Sequence, residues 1–239
     1  MDETPVTSFA ELQQFSNRHR GWLFRGMRSP NWELDTSLER AARRCKMNPC
    51  RFEKLSIYEF RRHCHGYLLR VPHPDHYVEW LALMQHYGAP TRFLDFTRSF
   101  WIALHFAYES ADNDCVVWAL DSRSLGKKAK KDFNILIREN IEKGAHTEDV
   151  LYEDVPYFTN ERLAIQKGTF VFSMNQERTF NDIFTANKKT HRRLVISEKL
   201  FPEIRRYLNE MNCTSRVLFP GIDGYARHFN NFADDGGVL

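Results

Sequence analysis

Apolar and polar positions along this chain follow two periods, and each change of period marks an element. Phe9, Leu12 and Phe15 recur on one helical face behind a candidate capping box, Ser8 with Glu11, and Gly21 ends that run. Residues 22–28, Trp-Leu-Phe-Arg-Gly-Met-Arg, then read as an aromatic and apolar strand with Arg25 inside it. Three helices are predicted next: one behind a second capping box, Thr36 with Glu39, one over 51–69 and one over 78–87, with Pro72 and Pro74 separating the last two. Pro90 disfavours a helical Ala89 and Gly88 tolerates positive φ, so an extended segment starts there and feeds the apolar helix 100–107. Strands are predicted at 115–120, over 160–166, from Thr169 onward, at 193–196 and at 216–219, with helices near 133–141 and at 202–211. A helical first half followed by strands predicts one α+β domain rather than a doubly wound parallel sheet.

Composition narrows the class. The chain has 239 residues, 42% of them hydrophobic, enough for one substantial core. Lys and Arg exceed Asp and Glu by 34 − 31 = 3, so any case for a polyanionic partner rests on clustering and not on net charge. Residues 1–9 show no basic and apolar leader, and no stretch approaches 18 apolar residues, which leads us to expect a cytoplasmic protein without membrane insertion. Five cysteines without a Cys-x-x-Cys pair read as reduced thiols. His63, Cys64, His65, His73 and His76 match no known ligand spacing, so no metal is expected and a polar helix end is the plainer reading.

The candidate chemistry sits where polar groups enter the core. Arg25 in a strand is costly unless its fork meets an anion or a set of carbonyls, and Gly26 beside it would let a ligand approach the backbone; an edge-strand charge or a structural ion pair is the alternative. Thr91, Arg92, Asp95 and Thr97 stand at the mouth of the buried helix, next to His86. Glu161, Arg162 and Gln166 are the polar groups at the start of the predicted strand over 160–166, which ends in a Lys167-Gly168 turn or bulge. Two basic clusters, Lys127, Lys128, Lys130 and Lys131, then Lys188, Lys189, Arg192 and Arg193, could be solvated faces or a landing strip for nucleic acid.

Three of these stretches, Phe24-Arg25-Gly26, then Gln85-His86-Tyr87-Gly88-x-Pro90-Thr91-Arg92-x-Leu94-Asp95-x-Thr97, then Arg162-x-x-x-Gln166-x-Gly168-x-Phe170, together resemble the signature of the FRG domain family. The resemblance runs over residues 21–223, and the family is itself distantly similar to ADP-ribosyltransferases. It implies an N-terminal helix over residues 1–20 and an FRG-type domain over 21–239, with a split-sheet core and a helical block inserted after the first strand. It implies NAD as co-substrate, with Glu161, Arg25 and Thr97 as the catalytic set. Glu161 would face the ribosyl cation, Arg25 would take the pyrophosphate and Thr97 would hold Glu161 by a hydrogen bond. Gly26, His86, Tyr87, Thr91, Asp95, Arg162 and Gln166 would complete the cofactor contacts, and a competing assignment gives the essential polar work to Arg162 and Gln166. The acceptor implied is RNA, reached through the two basic clusters, in a toxin of bacterial phage defence that needs a neutralising antitoxin protein. A non-catalytic RNA-binding module is the alternative, and a nuclease ranks behind both because no carboxylate cluster suits two metals.

Overall fold

Six strands hydrogen-bond into one antiparallel sheet in the computed structural model, which describes residues 5–127, 130–145, 147–157 and 161–228. In chain order the elements are α1 (Phe9–Arg18), β1 (Leu23–Met27), α2 (Ser37–Arg44), α3 (Pro49–His63), α4 (Tyr77–His86), β2 (Leu94–Thr97), α5 (Phe100–Tyr108) and β3 (Cys115–Leu120). They continue with α6 (Lys130–Lys143), β4 (Leu151–Asp154), α7 (Glu161–Ile165), β5 (Gly168–Ser173), α8 (Phe180–Thr185), β6 (His191–Ile196), α9 (Phe201–Glu210), α10 (Ser215–Leu218) and α11 (Ile222–His228). The strand order is β4-β5-β2-β1-β3-β6, with the helical block α2 to α4 inserted between β1 and β2 as expected.

Alternation along the strands divides the core. Phe24 in β1 and Val117 and Ala119 in β3 face α5, α9 and α1, while Phe170 and Phe172 in β5 face α3, α4 and α6. Directly paired residues point to the same side, and the pairs Phe24–Thr97 and Asp95–Phe170 place both helical blocks on one face of the sheet. Leu23, Met27, Leu94, Phe96 and Trp118 point the other way, onto Leu34 and the α8 residues Phe180 and Phe184. One face therefore carries two separate helical blocks, and a seam runs between them over β1 and β2.

The sheet is continuous across that seam and not the split core expected, but its pairing there is weak. β1 and β2 pair at one register only, Phe24 with Thr97, and neither of the next two opposed positions, Arg25 with Phe96 and Gly26 with Asp95, pairs. The other strand pairs run over four to six registers.

Several local expectations need correction. Residues 161–165 form the short helix α7 and not a strand; Gln166 donates its amide to the Arg162 carbonyl, and Lys167 at φ 47° closes the turn before β5. β5 pairs instead with β2 on one side and with β4 on the other, where Tyr152 lies opposite Phe172. Residues 215–218 also coil, as α10, with the Leu218 amide on the Thr214 carbonyl. The Thr36–Glu39 capping box forms in both directions, whereas the Ser8 side chain caps nothing and only its carbonyl takes the Glu11 amide. In α1 Leu12 is fully buried against α5, and before it Val6 exchanges backbone hydrogen bonds with Val195 and Ser197 beside β6. No helix among the described residues is long and apolar enough to cross a membrane.

Candidate functional site: an arginine-lined cleft in the sheet seam

The cleft begins with Arg25. Its position in β1 would place it opposite Phe96, but with the strands parted there its guanidinium donates through Nη1 to the Asp95 carbonyl at 2.7 Å, a group left without a partner from β1. Its Nε is buried and bonded to nothing among the described residues. Burial lowers the Arg25 pKa, Asp95 opposes that shift and Arg40 adds to it. An arginine stays protonated through such a shift, so the cleft holds an under-solvated cation with a donor to spare. Gly26 has a different task from the one its sequence position implied. A Cβ there would stand 1.8 Å from the Ala103 carbonyl oxygen and 2.7 Å from the Ala107 nitrogen, so the space belongs to α5 and not to a ligand.

The segment after α4 supplies the opposite wall. Gln85 donates to the Asp95 carboxylate at 2.8 Å and accepts from the Thr91 hydroxyl, which fixes the carboxylate at the cleft mouth. Thr91 is itself fully buried; its amide and carbonyl are taken by Ser37 and Leu38 of α2, so it holds the wall from behind and does not reach the cleft. Arg92, one residue on, turns away from the cleft into a buried ion pair with Glu53 of α3. His86 lines the cleft, whereas the Tyr87 ring sits edge-on to His86, exposed and off the cleft wall.

The third wall comes from α7 and the turn into β5. Thr97 donates to the Gln166 carbonyl at 2.7 Å and accepts the Ser99 amide, so it anchors the turn rather than Glu161. Gln166 in turn donates to the Leu218 carbonyl of α10 at 2.9 Å. Arg162 lies 4.6 Å over the Phe219 ring, and Arg227 of α11 lies 4.2 Å over the same ring. Burial lowers the Arg162 pKa, opposed by Asp95 and reinforced by Arg227. The result is a cleft of about 310 Å³ with Arg25, Arg162, Asp95 and His86 as its charged or titratable lining and Phe106 and Phe219 among its aromatic walls. Glu161 is exposed on the first turn of α7 and lines no part of it.

The geometry brings together the polar residues of all three sequence motifs. Residues 20–115 match the FRG domain. The match holds Phe24-Arg25-Gly26 and the whole 85–97 run, so two of the three cleft walls belong to the FRG domain and the third, α7 with Gln166, is added by the chain beyond it. Comparison with curated proteins and with solved structures gives no significant match.

The basic clusters lie apart from the cleft and from each other. Gly126, next to Lys127, bridges β4, while Lys188 to Arg193 lead into β6, and these strands are the two opposite edges of the sheet. Five inter-strand steps of about 4.8 Å put roughly 24 Å between those edges. Lys127, Lys188 and Lys189 are exposed; Lys128 and the side chains of Lys130 and Lys131 lie outside the described residues. Arg192 donates to the Lys188 and His191 carbonyls, and Arg193 is a strut, donating to the Pro30 carbonyl at 2.6 Å and lying over Trp118. Among the described residues no three His, Cys, Asp or Glu side chains converge as metal ligands.

Sequence reasoning passed over Gln85 as a cleft residue and Glu53 altogether. Both act through partners that only the fold brings near, Glu53 across 39 residues. The one available signal was that a buried Arg92 must have a counter-charge somewhere.

Proposed function

We propose that the cleft binds NAD and that the chain transfers ADP-ribose from it to RNA. The observation that carries this reading is a desolvated arginine, Arg25, and a partly covered one, Arg162, facing one carboxylate, Asp95, between aromatic walls. Two guanidinium forks suit a pyrophosphate, and an under-solvated cation gains most from an anionic ligand. Phe106 and Phe219 offer apolar surface for the flat nicotinamide or adenine ring.

In this reading the bond between the nicotinamide nitrogen and ribose C1 breaks with its electron pair leaving on nicotinamide. The ribosyl cation that forms is stabilised by a nearby negative charge, and an oxygen or nitrogen of the acceptor bonds to C1 and releases its proton to solvent. Asp95 takes the role first assigned to Glu161, because it is the carboxylate on the cleft wall and Gln85 already holds it in place. A toxin of this kind would need a neutralising antitoxin protein.

The test follows nicotinamide release and transfer of label from adenylate-labelled NAD to RNA, DNA or protein. Asp95→Asn keeps the Gln85 hydrogen bond and removes the charge, and a fall of about 10² to 10³ in rate is expected, with Glu161→Gln close to wild type. Loss of activity in Glu161→Gln with Asp95→Asn active would overturn the assignment. NAD affinity with no turnover would favour a binding-only module.

A further inference from the structure

A second groove, of about 750 Å³, opens off the cleft at the end of β1 and shares Arg25, Gly26 and Phe106 with it. Its outer part is formed by the loop from β1 to α2, where Trp32 is 48% exposed and the Arg28 guanidinium lies 4.5 Å from the indole centroid. An exposed tryptophan on a loose loop would say little, but this loop is pinned on both sides of Trp32. The Pro30 carbonyl is held by Arg193 at 2.6 Å, Leu34 is 1% exposed, and the Leu34 amide is bonded to Asn181 of α8. The indole is thus held rigidly at the surface, at the cost of its own burial.

The charges beside it are arranged for an anion. Asp35, one of two acids in the groove, is taken by a bidentate contact from Arg43, both bonds at 3.1 Å. Glu33 is the other acid. Arg28 and Arg40 have no carboxylate partner among the described residues; Arg40 donates only to the Asp35 carbonyl, at 2.6 Å. A stacking platform flanked by arginines whose charge meets no carboxylate among the described residues is the arrangement that takes successive bases and phosphates of an unpaired strand.

We infer that this groove is a single-stranded nucleic-acid site, with a base stacked on Trp32 and the adjoining phosphates on Arg28 and Arg40. The strand would thereby enter the cleft past Arg25. It deepens the proposed function by locating the acceptor there, and it replaces the two lysine clusters, which stand on opposite sheet edges, as the main contact.

The experiment is fluorescence anisotropy of the full chain with labelled single-stranded RNA, single-stranded DNA of the same sequence and an RNA duplex, without NAD. Trp32→Ala is expected to weaken single-strand binding about 5- to 150-fold, the range for loss of one stacked base, and Trp32→Phe to recover most of it. A joint Arg28→Ala and Arg40→Ala variant is expected to flatten the salt dependence of binding. Equal affinity of Trp32→Ala and wild type for single strands, or tighter wild-type binding to duplex, would overturn the inference. A preference for RNA over DNA supports RNA as the acceptor, and equal binding still supports the groove. Because the readout needs no turnover, failure of NAD chemistry would leave it intact and would count only against the transferase reading.

Discussion

Replacing Glu53 by alanine should cost this protein more than almost any other single change. Arg92 is 1% exposed and, among the described residues, its guanidinium is answered by no carboxylate but Glu53, through Nε at 2.9 and 3.1 Å and through Nη2; it also contacts the Ser173 carbonyl at 3.4 Å and the Met174 sulfur at 3.7 Å. Removing the carboxylate strands a buried cation, for which about 3 to 5 kcal/mol is typical. A domain stable by about 5 to 15 kcal/mol loses about a fifth or more of its margin. With an unfolding entropy of about 2.1 cal/mol/K per residue, a chain of this length has roughly 0.5 kcal/mol/K, so the melting temperature should fall by about 6 to 10 °C. The assay is a double-mutant cycle by urea unfolding and calorimetry with Glu53→Leu, Arg92→Met and both together. The double variant should recover most of the loss, since a well-packed apolar pair can replace a buried ion pair with little penalty. A cost below about 1 kcal/mol for Glu53→Ala, the range of exposed pairs, or strict additivity in the cycle, would refute the argument that this pair is desolvated and coupled.

Gly26→Ala should destabilise by about 3 kcal/mol or more, since overpacking here meets helix backbone rather than a movable side chain; unchanged urea unfolding would contradict this. Arg25→Lys keeps the charge and loses the fork, so ADP-ribose affinity measured by calorimetry should fall about tenfold or more, as for loss of a charged hydrogen bond, and wild-type affinity would remove Arg25 from the anion site. Burial raises the Cys115 thiol to about 12 and Cys213 to about 11, so in the native protein at pH 8 a thiol reagent should label exposed Cys45 and leave these two untouched until unfolding. Their folded pKa values lie above the ordinary 9.0, so the folded state holds its protons longer; their contribution to stability is complete below about pH 9 and is lost as pH rises toward 11 to 12, which unfolding measured across that window checks.

The sheet and its motifs were legible where local pattern and tertiary demand agree. Residues 22–28 and 115–120 are apolar enough to be strands in any context, and the proline and glycine before residue 93 force an extended entry. Legibility failed at short segments. β4 offers only Tyr152 and Asp154 to the interior, too little alternation to distinguish it from a loop, and Leu163 with Ile165 suits a strand or one helical turn equally. The glycine of Phe-Arg-Gly was read as room for a ligand, and the close approach there is that of α5 instead. Glu161 was misjudged for a related reason: a carboxylate can be placed by its neighbours in sequence, yet whether it meets a cleft depends on the rotation of the element carrying it. A helix over 161–165 with the turn after it sets Arg162 and Gln166 at the cleft wall and leaves Glu161 off it.

The cleft follows from how each strand of the seam is held. β1 is drawn onto α5 because Gly26 has no side chain to keep the helix backbone away. β2 is tied to the other helical block, through Gln85 of α4 at Asp95 and through Arg92, just before the strand, at Glu53 of α3. With each strand committed to a different block, the ladder between them closes only at Phe24 and Thr97, and Thr97 turns its hydroxyl to the next turn instead, on the Gln166 carbonyl. The backbone groups freed by that opening need partners, and Arg25 meets one of them, the Asp95 carbonyl, while leaving its own Nε unanswered. The same residues that part the sheet therefore leave on its seam a buried guanidinium with an unanswered donor, and the proposed anion site rests on that consequence of the two helical blocks.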